Sequence, residues 1–189
     1  MRRRRLLAIS GSLAVIAVLA IGAYLFQPWR LWTTTVVDEA LPPAASQTPV
    51  PVPASSSAAP SSPTPEPVTP TGPVDLATGA FITHEHATSG SVRIVEQPDG
   101  SRVLAIEDLD TSDGPDLRVW LSDQPVIEGT AGWGVFDDGL WVDLGALKGN
   151  VGNQVYEIPA DVDLSSYTSV SIWCARFAVA FGAAALTYV

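Results

Sequence analysis

The chain has 189 residues, a formal charge of −10, 47% hydrophobic residues, 16 prolines, one cysteine and two histidines. One cysteine excludes an internal disulfide framework and any multi-cysteine zinc or iron–sulfur site. The acidic balance argues against nucleic acid as a partner, because phosphate binding needs clustered Lys and Arg.

The averages hide three materials in series. Residues 1–30 carry five Arg and no acid, whereas residues 31–189 carry five basic and 20 acidic side chains. After Arg2, Arg3, Arg4 and Arg5 comes an uncharged run of 21 residues, Leu6–Phe26. As a helix it is about 31 Å long, enough for a hydrocarbon core of about 30 Å. Trp29, Arg30 and Trp32 then suit a headgroup boundary. A cleaved signal peptide is the alternative, but its apolar region is shorter and ends in small residues. Here the run ends Ala23-Tyr24-Leu25-Phe26, and no lipobox-like Cys follows. The reading over 1–32 is therefore an Arg cluster plus one uncleaved transmembrane helix. The cell membrane is crossed once, with the N-terminus cytoplasmic and the rest extracytoplasmic.

Residues 33–73 read as a juxtamembrane piece and a disordered Pro/Ser-rich linker. Residues 42–73 hold 11 of the 16 prolines. Such composition favours extended polyproline II and could reach about 100 Å, a spacer able to carry a domain past a cell-wall layer. Thr33–Leu41 has no assignment; Val36, Val37 and Leu41 are candidates for a small juxtamembrane element.

Residues 74–189 read as an extracytoplasmic domain with five basic and 17 acidic side chains. Short β-branched and aromatic runs alternate with Gly, Pro and Asp turns. The pattern predicts strands at 80–83, 91–96, 102–107, 117–122, 140–144, 154–158, 169–175 and 184–189. Gln97-Pro98-Asp99-Gly100 joins the second and third as a hairpin. No amphipathic helix of useful length stands out. The expected class is all-β, an antiparallel β-sandwich or barrel-like domain.

Few residues here could carry chemistry. Cys174 lies in Ser171-Ile172-Trp173-Cys174-Ala175-Arg176-Phe177. It is either a buried thiol acting as a small hydrophobe or an unpaired thiol in an oxidising compartment that must be protected, paired or reactive. Strand alternation would place Arg176 on the same face, where it would favour the thiolate. His84 and His86 have the i, i+2 spacing of one strand face and are candidate ligands for a metal or haem, against a solvated strand end. An attached c-type haem is excluded because no Cys-x-x-Cys-His occurs. The acidic run Glu107–Asp116 fails the EF-hand pattern and suits a tight turn. No serine sits in a Gly-x-Ser-x-Gly elbow, and no phosphate-cradling glycine loop occurs.

Several fragments together resemble the DM-thirteen domain family, an extracellular module often found beside haem-binding DOMON domains. They are Gly79-Ala80-Phe81, His86-Ala87-Thr88-Ser89-Gly90-Ser91-Val92, Asp113-Gly114-Pro115-Asp116-Leu117 with Val119-Trp120-Leu121-Ser122, Leu144–Asn150, Gly152–Tyr156, and Tyr167–Cys174 with Phe177. The resemblance covers about residues 75–189. It implies an all-β fold and electron transfer or redox modification at the cell surface, centred on one cysteine acting as a bare thiol or as a ligand to a group such as haem. That cysteine is Cys174. His86 falls in the family's His-x-x-Ser-Gly stretch and is the candidate second ligand, with Arg176 as thiolate stabiliser; His84 has no place in the pattern. Whether the chain is an enzyme is left open, as is the cofactor, and no metal site is assigned. The expected partners are the membrane and an external redox protein. These features suit a bacterial surface protein of a Gram-positive or actinobacterial kind. The rival is a non-catalytic binding or envelope-structural module with Cys174 as core packing.

Overall fold

The computed structural model describes residues 2–43 and 72–189. Most of the expected Pro-rich linker, residues 44–71, lies outside the described residues. Helix α1 runs over Arg2–Phe26. It ends where Gln27 turns left-handed and Pro28, which cannot continue a helix, opens a single 3₁₀ turn. Among the described residues no helix is long and apolar enough to cross a membrane. The expected span Leu6–Phe26 falls partly on residues whose side chains lie outside the described set.

Ten strands follow: β1 (Val36–Asp38), β2 (Val74–Thr83), β3 (Ser89–Glu96), β4 (Arg102–Asp110), β5 (Leu117–Ser122), β6 (Trp141–Ala146), β7 (Val151–Ile158), β8 (Ser169–Cys174), β9 (Val179–Ala185) and β10 (Thr187–Tyr188). The order β1-β7-β4-β3-β2-β9-β8-β5-β6 makes one sheet curled into a half-barrel, with β10 on β2. The expected all-β, barrel-like class is what the chain adopts. Strand β2 makes the curl continuous: Val74–Ala80 pair with β3, and Phe81–Thr83 pair with β9. The turn at Gln97–Gly100 closes the β3–β4 hairpin, with the Gly100 amide donating to Gln97 O at 2.9 Å.

Two apolar cores result. The inner face of the curl buries Val92, Ile94, Leu104, Ile106, Val119, Leu121, Val170, Ile172, Cys174 and Phe181. The segment 123–140 between β5 and β6 lies across the outer face and buries Trp120, Phe136, Trp173, Ala180 and Ala183. Strand β8 is therefore covered on both sides and buried along its whole length. Trp120 stacks on Trp173 at 5.0 Å and on Trp141 at 4.1 Å.

The segment that follows α1 belongs to this sheet. Strand β1 pairs in parallel with Val151–Asn153 of β7, the one parallel pairing among the described residues. A side chain at Gly149 or Gly152 would run into Thr35 or Val37, so these two glycines make the floor on which β1 lies. Glu39 accepts from Lys148 Nζ at 2.7 Å and from the Val155 amide at 2.7 Å. Arg93 fastens the exit of this piece. It donates to Pro42 O at 2.9 Å, to Asp75 at 2.7 Å and to Glu107 at 2.7 Å. The Pro-rich segment thus does not stand between helix and domain; it leaves the sheet after Pro43 and rejoins it at β2.

Candidate functional site

At one end of the half-barrel β2, β4 and β8 finish, and β3, β5, β7 and β9 begin. The loops of this end carry His84–Thr88, Thr111–Asp116, Leu147–Asn150 and the turn Ala175–Ala178. Thr88 ties the first of these loops to the second and to β9. Its hydroxyl is 2.8 Å from that of Thr111 and donates to Phe181 O and His86 O, both at 3.1 Å.

Cys174 is the last residue of β8 and is 0% exposed. It faces inward beside Leu117 of β5 and Val179 of β9, while Trp173 faces the outer core. The expected alternation therefore holds up to Cys174. Burial pushes the thiol above its ordinary pKa. The backbone N–H groups of Phe177, Arg176 and Asp116 act the other way, and the nearby Glu85 carboxylate adds to the upward push. The thiol is thus protonated at neutral pH.

Arg176 does not extend the strand, because β8 stops at Cys174 and a turn begins. Its guanidinium points out of the core and donates to Leu25 O at 2.7 Å and Tyr24 O at 3.4 Å, the last carbonyls of α1. The charge expected beside the thiol is engaged there instead.

The histidines also part company. Strand β2 ends at Thr83, so His84–His86 form a bend rather than a strand face. The His84 and His86 amides both donate to Phe181 O, at 3.0 and 3.3 Å. His84 turns under the 123–140 segment, where Nε2 lies 3.1 Å from Ile127 O and the ring meets Phe136 edge-on. It is 4% exposed, and burial lowers its pKa, keeping it neutral. His86 stays on the inner side, its ring stacked on Phe181 at 3.9 Å. Phe181 belongs to the same large core cluster as Cys174.

This arrangement does not fit a haem. Surface cavities of about 710 and 970 Å³ are lined elsewhere, and one of about 550 Å³ opens at this end between Asp113–Leu117 and Leu147–Asn150; neither Cys174 nor His86 lines any of them. Packed side chains fill the space around the sulfur. The acids of 107–116 are spread over separate partners: Glu107 on Arg93, Asp113 on Arg30, Asp116 on Arg118. Among the described residues no group of three or more His, Cys, Asp or Glu could hold a metal ion.

A family model described as "Electron transfer DM13" matches residues 80–186. No curated protein and no solved structure matches the chain.

Proposed function

The chain belongs to the electron-transfer DM13 family, and on that premise we propose that it is a membrane-anchored electron-transfer module of the cell surface whose working group is the Cys174 sulfur. The observation that carries the reading is the setting of that sulfur. It is shut off from water, facing the inner core from the last position of β8. His86, packed on Phe181, lies in a loop at the same end of the half-barrel. The partner is an external redox molecule. Helix α1 supports the anchor: Val15, Ile16, Val18, Leu19 and Ile21 are all exposed, an apolar surface that water does not tolerate on this scale.

Zero exposure of Cys174 equally favours its being simply core. The two readings part in one experiment on the full chain adsorbed on an electrode. Electron transfer predicts a voltammetric wave that Cys174→Ser abolishes while circular dichroism stays unchanged. A wave of equal size in Cys174→Ser, or no wave in the native chain, would reject the role of the sulfur.

A further inference from the structure

The helix and the half-barrel meet at the Cys174 end. Four independent contacts make the junction. Phe26, the last residue of α1, stacks on Phe177 of the β8–β9 turn at 5.6 Å. Arg176 caps the helix by donating to Leu25 O at 2.7 Å, a cation placed at the negative end of the helix dipole. Arg30 donates to Asp113 at 3.1 Å and to Gly114 O at 2.9 Å. Thr35 donates its amide to Asn150 at 2.7 Å, and β1 then runs away from the helix along β7. The first residue of β1, Val36, pairs with the first residue of β7, so the strap starts at the Cys174 end and runs toward the other. Aromatic side chains ring the junction: Trp29, Trp32, Phe26 and Phe177 are all exposed. Tryptophan at a helix exit is the side chain of a membrane–water boundary.

We infer that the half-barrel is strapped against the exit of its own helix, with the Cys174 end facing the bilayer surface. The occupant of the aromatic ring is the lipid headgroup layer. This rests on the membrane-anchor reading above and changes its geometry: the Pro-rich segment does not hold the domain at a distance. A partner that reaches Cys174 does so from the membrane side.

The test uses the full chain with Cys174→Ala and one new thiol, Ala175→Cys at the near end or Asp161→Cys in the turn after β7. Both positions are exposed. Each is labelled with an environment-sensitive fluorophore in vesicles of phosphatidylethanolamine and phosphatidylglycerol that carry a headgroup-level quencher. The label at 175 should be quenched several-fold more than the label at 161. Equal quenching, or more at 161, with the chain floating with the vesicles would overturn the strap and leave the anchor standing. A chain that does not float would overturn both. Gly152→Ala, which puts a methyl group into the floor under β1, should lower quenching at 175 while the label at 161 stays unchanged.

Discussion

Burial raises the pKa of three acidic groups of the half-barrel, the Cys174 thiol and the Tyr156 and Tyr188 phenols. The Cys174 thiol is pushed above its ordinary pKa, and the Tyr156 phenol is pushed up to about 12. A folded-state pKa raised above the unfolded value contributes stability below the unfolded value and loses it as pH rises toward the folded one. For the thiol the loss begins above the ordinary cysteine value, about 8.5; for the phenols it begins above about 10. Urea midpoints should therefore fall on the alkaline side in two stages. Cys174→Ala should remove the earlier stage and keep the later one. A single unchanged decline from pH 8 to 11 in that variant would show that the thiol does not titrate with folding. At this scale the sequence was legible where strand alternation held, as it did up to Cys174. It misled one residue beyond a strand's end: His84 and His86 separate because β2 stops at Thr83, and Arg176 swings to α1 because β8 stops two residues earlier.

Strands that carry their own signal were legible; strands defined by distant partners were not. The β3–β4 hairpin announces itself through Val, Ile and a Pro-Asp-Gly turn. Strand β9 reads Val-Ala-Phe-Gly-Ala-Ala-Ala, with little β-branched character, and the expected strand was placed at 184–189, several residues late. Its small side chains are what let the 123–140 segment and Thr88 pack close: a side chain at Gly182 would meet Thr88. Strand β1 is three residues long and depends on glycines more than 110 residues away, a pairing that no local pattern reports. Arg93 ties the stretch after β1 to β2 and β4, its guanidinium joining Pro42 to Asp75 and Glu107. Its side chain is 14% exposed. Charge-assisted hydrogen bonds of this kind contribute about 1.5–3 kcal/mol each before desolvation is offset. Removing the cation also strands two carboxylates. Arg93→Ala should lower the unfolding free energy by about 2–4 kcal/mol, and Arg93→Lys should recover only part, since one ammonium cannot match the planar fork. Full recovery by Lys in urea unfolding would show that charge alone matters there.

The whole molecule has a closure that the three-materials reading lacked. Pro42 and Asp75 lie on one guanidinium, so residues 44–71 begin and end at nearly the same place. Forming the β1–β7 pair therefore closes a loop, and loop closure costs entropy that grows with the logarithm of length. Were the segment a plain spacer between an anchor and a separate domain, its length would not enter the folding free energy at all. Replacing residues 44–71 by a Gly/Ser linker of about six residues cuts the closure cost by about 1 kcal/mol, from the logarithmic dependence. The shortened chain should unfold at a higher urea concentration with an unchanged slope. Its amides at Val37 and Val151 should exchange more slowly with solvent, because opening of β1 becomes less favourable by the same amount. In the background of Gly152→Ala, where β1 is displaced, the shortening should have no such effect. An equal midpoint for long and short segments in the native background would mean that β1 does not close the loop, and the Pro-rich stretch would then revert to a spacer.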